Sequence, residues 1–212
     1  MAAARPREDP PRDGPAPSKR RTGSSTAPRH SGPAGHIVLF SPRSVATSTK
    51  RVLVAYGTKH GATAGIATEI GRALREDGLE VIVLPAGDVH DVRAYDAVVL
   101  GGALYAGRWS GTAKSCAERN ADSLRHRPVW LFSSGPLDDS AEDQDIPPVS
   151  VVARQMQLIG AREHKTFGGS VTAHTPGPLA RAMLHQGKGG DYRNPERIRD
   201  WAHHISDELA AA

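Results

Sequence analysis

Tyr56-Gly57-Thr58-Lys59-His60-Gly61-Ala62-Thr63-Ala64-Gly65-Ile66-Ala67 follows the apolar run 52–55 and leads into an amphipathic segment. That order reads as a buried strand, a tight loop rich in glycine and hydroxyls, and a helix start. Such a loop aims several backbone N–H groups at one spot, at the positive end of a helix dipole. It is a place to hold a phosphate.

Two common phosphate loops do not fit. A Walker A loop needs a Gly-Lys-Ser/Thr ending, and here Ala62-Thr63 follows Gly61. The Rossmann fingerprint needs Gly-x-Gly-x-x-Gly, whereas the glycines here are Gly57, Gly61 and Gly65. What remains is Thr58-x-x-Gly61-x-Thr63, in which two hydroxyls and several N–H groups surround one terminal phosphate without a metal or a lysine. On the loop alone, a plain strand–helix turn with a capping threonine stands as an equal reading.

Downstream, strand and helix signals alternate. Residues 51–56, 79–84, 96–100, 129–133 and 164–171 read as five strands. Helical spacing appears over 62–77, stopped by Gly78, and over 112–125, 149–159 and 196–209. Residues 172–189 carry no clear pattern. Alternation of this kind implies a parallel sheet covered on both faces. With strand order 2-1-3-4-5, ligands sit beyond the carboxyl ends of the first and third strands. Three loops then converge there: 57–63, 102–111 and 133–140.

The second of these carries Gly102, Ala103, Tyr105 and Trp109, with two large aromatics in a chain that is only 5% aromatic. Stacking on a flat, mostly apolar ring is favourable. The third begins Ser133-Ser134-Gly135 and offers hydroxyls and N–H groups to a polar ring edge. The alternative is that Tyr105 and Trp109 cover the edge of the core.

Residues 50–209 resemble the flavodoxin superfamily through the 57–67 loop and Gly101-Gly102-Ala103-Leu104-Tyr105-Ala106-Gly107. The ending Gly189-Gly190-Asp191-Tyr192, followed by Arg199-Asp200-Trp201-Ala202, makes the chain similar to the menaquinone-dependent protoporphyrinogen dehydrogenase branch. The resemblance implies an α/β, flavodoxin-like, doubly wound five-stranded parallel sheet that binds FMN. Thr58 and Thr63 would donate hydroxyls to its phosphate, and Lys59, His60, Gly61 and Ala62 their backbone N–H groups. Tyr105 and Trp109 would flank the isoalloxazine. Gly102 and Ala103 would face N5, and Ser133, Ser134 and Gly135 would meet the pyrimidine edge. Two departures stand out. Flavodoxin loops are usually uncharged where Lys59-His60 stand. The stretch 172–189 lacks the aromatics of that branch's porphyrin-suited insertion.

Composition limits the alternatives. Of 27 Lys+Arg and 23 Asp+Glu, residues 1–49 hold 8 and 3, so the remainder is close to neutral. The same 49 residues hold 8 of the 16 prolines and read as a disordered basic tail ahead of one domain, 50–212. The basic net charge therefore implies no nucleic-acid partner. No apolar run reaches membrane-span length, which leaves at most peripheral membrane contact and a cytoplasmic location. The single cysteine, Cys116, excludes an internal disulfide and reads as a packed thiol. The ten histidines show no ligand spacing. His203 and His204 lie about 100° apart on a helix, so no metal is expected.

These features together predict an FMN oxidoreductase that passes electrons between a small, porphyrinogen-like or other, substrate and a quinone, with no side chain identified as a catalytic acid or base. A one-electron carrier is the first alternative, disfavoured by the near-neutral domain. A flavin-free binding module that kept the fold is the second.

Overall fold

The computed structural model describes residues 49–173, 175, 177–187 and 189–212. The expected tail, but for Thr49, lies outside them. Five parallel strands form the sheet: β1 (Arg51–Gly57), β2 (Glu80–Pro85), β3 (Ala97–Tyr105), β5 (Val129–Ser134) and β6 (Glu163–Phe167). A two-residue strand, β4 (Arg108–Trp109), turns back antiparallel onto β3. The spatial order β2-β1-β3-β5-β6 is 2-1-3-4-5 counted along the parallel strands, as expected.

The sheet is apolar on both faces because alternate residues serve two cores. Val52, Val54, Val99, Trp130 and Phe132 face α1 (Ala62–Glu76) and α7 (Pro195–Ala210). Those helices answer with Ile66, Ile70, Leu74, Ile198, Trp201 and Ile205 at helical spacing. Leu53, Ala55, Val98, Leu100, Val129 and Leu131 face the other side. There they meet α2 (Gly111–Arg119) through Cys116, α3 (Ala121–Leu124) through Leu124, and α5 (Ser150–Ile159) through Val152 and Ile159. Cys116 is 2% exposed, and burial pushes its thiol up, so it packs as a small apolar group.

Several boundaries differ from the sequence reading. The third strand does not end at Leu100: it runs on to Tyr105 and turns at Ala106-Gly107, whose φ values of 48° and 73° are those of a type I′ hairpin. Gly101 and Gly102 are therefore strand residues. They make room for rings: a Cβ on Gly101 would lie 1.9 Å from Phe132 Cζ, and one on Gly102 would lie 2.5 Å from Trp109 Nε1. The helix expected over 112–125 is two helices meeting at Asn120. The fifth strand stops at Phe167, because Gly168 abuts the carbonyl of Tyr192 and the chain bends. Two short strands follow, β7 (Ser170–Val171) paired antiparallel with β8 (Gly190–Asp191). Between them, the patternless 172–189 stretch contains α6 (Pro178–His185). A short helix, α4 (Ser140–Asp143), lies after β5.

Gly101→Ala should cost about 1–3 kcal/mol, the range for overpacking a dense core. Urea unfolding followed by circular dichroism would show it. Phe132→Leu in the same chain should recover part of the loss.

Candidate functional site

The β1–α1 loop is built by its own glycine and threonine. Gly61 takes φ 94°, a left-handed conformation open to glycine, at the N-cap of α1. Its N–H donates to Thr58 Oγ1 at 2.9 Å, and its carbonyl accepts from Gly65 N–H at 3.2 Å to close the first turn. No side chain caps α1, and its first turn holds no acidic residue. By contrast, the Asn194 side chain caps α7, accepting from the N–H groups of Glu196 and Arg197 at 3.0 and 3.2 Å.

Thr63, in that first turn, is fully buried, and its hydroxyl has no hydrogen-bond partner. The same holds for Nδ1 of His60, whose ring meets Tyr105 edge-on at 6.0 Å. A buried hydroxyl normally finds a partner. One lying unpaired at an uncapped helix N-terminus suits an incoming acceptor.

Three clefts adjoin around this loop. A polar one of about 220 Å³ lies between His60-Gly61-Ala62 and Ser170, Thr172, Thr175 and Arg193. A narrow one of about 80 Å³ runs between Ala103-Leu104-Tyr105 and Ser134, Gly135, Leu137 and Gly169. The third, about 520 Å³, is walled by Tyr105 and Trp109, with Thr58, Lys59, Arg108 and Thr112 around it. Ala62 and Ser170 are shared by the first two, and Ala103 and Tyr105 by the last two. Tyr105 is 40% exposed, and partial burial pushes its phenol up, so it stays neutral.

Of the residues expected at the site, Thr58, Lys59, His60, Gly61, Ala62, Ala103, Tyr105, Ser134 and Gly135 line these clefts, and Thr63 stands at the helix start. Three do not match their expected role. Gly102 is buried in β3, beneath the Trp109 indole. Trp109 is 5% exposed and belongs mainly to the α2-side core, so it is not a free ring face. Ser133 is fully buried inside β5, where its hydroxyl is paired with His164 Nε2 at 2.9 Å.

Residues not anticipated are Ser170, Thr172, Thr175 and Arg193. They reach the loop through the β7–β8 pairing, Ser170 opposite Asp191, which no local signal encodes. The residues also fit what a phosphate-bearing flat cofactor needs: an unpaired buried hydroxyl and open N–H groups at one end, and a slot between apolar walls at the other.

Residues 53–188 match the family model of the flavodoxin domain. The chain belongs to the flavodoxin-domain family. Members typically bind FMN. Among solved structures, oxidised flavodoxin 2 from Bacillus cereus shares 18% identity over 74% of this chain and 99% of its own, with a TM-score of 0.51. The rubredoxin oxygen:oxidoreductase of Desulfovibrio gigas shares 13% identity over 77% of this chain, also at 0.51. This chain spans only 37% of that oxidoreductase's length. At these identities the likeness shows the fold. No curated protein matches the chain.

Away from the clefts, Glu163, His204 and Glu208 are the three-ligand group among the described residues, their ligand atoms within 4.8 Å of one another. Histidine spacing did not reveal it, because Glu163 comes from β6. Its carboxylates are already engaged: Trp201 Nε1 donates to Glu163 at 3.1 Å, and Arg162 pairs with Glu208 at 3.1 Å. The group reads as an ion-pair network. Among the described residues, no helix is long and apolar enough to cross a membrane.

Burial pushes His164 down from 6.5 to about 4, because the interior disfavours its charged form. The unfolded chain thus takes up a proton near pH 6.5 that the folded chain refuses until about pH 4. Stability is complete above pH 6.5 and falls as the pH drops between those values, by up to about 3 kcal/mol. Urea midpoints between pH 7 and 4 would show this slope, and His164→Gln should flatten it.

Proposed function

We propose that this chain is an FMN-binding electron-transfer flavoprotein, and more narrowly an FMN oxidoreductase acting between a small substrate and a quinone-like acceptor. The observation that supports FMN binding most directly is the fully buried, unpartnered Thr63 hydroxyl in the uncapped first turn of α1. Its donor can meet a phosphate oxygen together with the N–H groups of that turn. Bound FMN supplies the electron-carrying chemistry, and the chain supplies placement. Tyr105 and Leu137 both line the narrow cleft, together with Ser134 and Gly135. Gly61, in the left-handed conformation, sets the turn of the loop into α1.

Room for a second molecule favours the oxidoreductase reading over a pure carrier. The cleft of about 520 Å³ lies across Tyr105 from the narrow one and is mostly apolar, with the charges of Lys59 and Arg108 nearby. Neither cation is engaged in a salt bridge among the described residues. A flat apolar acceptor carrying polar oxygens suits such walls. The resemblance to the menaquinone-dependent protoporphyrinogen dehydrogenase branch supports a quinone in that role. The carrier reading remains the second, and catalytic turnover of a soluble quinone separates the two.

Protein purified without added flavin, or loaded with FMN and desalted, should show flavin absorption bands. Thr63→Val should weaken FMN binding by about ten- to a hundredfold, the worth of one hydrogen bond to a charged group. It should leave apoprotein stability equal or higher, since it removes a buried hydroxyl that has no partner. Thr63→Glu should abolish binding by charge repulsion. Protein that stays colourless after FMN addition would overturn the reading.

A further inference from the structure

Arg193 is a cation where flavodoxin-type loops need none. It follows β8, which pairs with β7, and that ladder carries it across to the start of α1. Its Nε and Nη2 donate to the two carboxylate oxygens of Asp191 at 2.7 and 2.5 Å, which fixes the plane of the guanidinium. Nη1 is thereby turned onto Gly65, so close that a Cβ there would lie 2.1 Å from it. Gly65 thus serves as a seat for the guanidinium in the first turn of a helix, where glycine is otherwise unfavourable.

Asp191 pairs with Arg193 and holds its guanidinium charged, and Glu69 lines the same hollow as Gly65 and Arg193. The N-terminus of α1 carries a partial positive charge, and a cation beside it is repelled. No acidic residue in the first turn offsets this, and Lys59 stands in the same loop. The polar cleft is lined by His60, Gly61, Ala62, Thr172 and Arg193, and the buried hydroxyl of Thr63, the residue after Ala62, has no partner. A dianion in that cleft would meet both the cation and the open helix end.

We propose that Arg193, seated on Gly65 and oriented by Asp191, contacts the terminal phosphate of the bound flavin and makes this site select phosphorylated flavin over riboflavin. The assignment rests on the FMN reading above. Phosphate recognition here adds a charge-assisted contact from a segment far along the chain to the N–H groups and hydroxyls of the loop.

Fluorescence titration of the full-length apoprotein with FMN and with riboflavin, at low and high sodium chloride, tests it. Arg193→Gln should weaken FMN by about ten- to a hundredfold, the range for a lost charge-assisted hydrogen bond. It should leave riboflavin unchanged and flatten the salt dependence of FMN binding. Gly65→Ala is the independent lever: it raises helix propensity while displacing the guanidinium, so it should weaken FMN in a chain at least as stable as wild type. FMN bound equally by wild type and both variants would overturn the role of Arg193. Should wild type bind neither flavin, the FMN reading fails, and thermal shifts with inorganic phosphate decide the anion site. A stabilisation lost in Arg193→Gln would uphold Arg193 as a phosphate ligand, and no stabilisation of wild type would overturn it.

Discussion

Burial of β1, β3 and β5 on both faces is the constraint from which the rest of this structure follows. Val52 and Val54 point one way, Leu53 and Ala55 the other, and both sets are fully buried. Strands with no polar face must be covered by helices on both sides, and parallel strands reach their neighbours only through crossovers. Little polar chemistry can then lie along the strands. Where Ser133 does, it spends its hydroxyl on His164. Ligand-binding capacity is pushed to the carboxyl edge, where β1, β3 and β5 release their loops side by side.

At that edge the site is divided by chemistry. One end is polar and positive, made by the open N-terminus of α1, the Thr63 hydroxyl and Arg193. The other is apolar, made by Tyr105 and Leu137. Helix α7 shows what a helix start looks like when the fold has no further use for it: Pro195 in the first turn, Glu196 beside it, and the Asn194 side chain on two N–H groups. The first turn of α1 has none of these.

Much of this was readable from local pattern. The spacing of Ile66, Ile70 and Leu74, the stop at Gly78, and Thr58-x-x-Gly61-x-Thr63 each depend on neighbours within a turn or two. The errors share a cause: they concern residues whose role is set across the sheet. Gly101-Gly102 looked like a turn, and only the register with Phe132 and the return of Trp109 show that glycine there makes space for rings. Ser133, the last residue of the strand read from the sequence, is instead inside β5, which runs one position further. Arg193 carried no motif, since its partner surface at Gly65 lies 128 positions earlier. Helix α6 lies in the stretch 172–189, which carries no clear pattern, although its Pro178 is well placed in a first helical turn.

That separation bears on how the chain folds. Contacts between α1 and α7, such as Arg199 with Glu76 and His203 with Asp77, bridge more than 120 residues, and closing so long a loop costs entropy before any contact repays it. The β1–α1 turn is local, whereas Arg193 reaches Gly65 only through pairing across 128 positions of chain. On the role proposed for Arg193, a chain whose C-terminal segment has not docked lacks that contact with its anion.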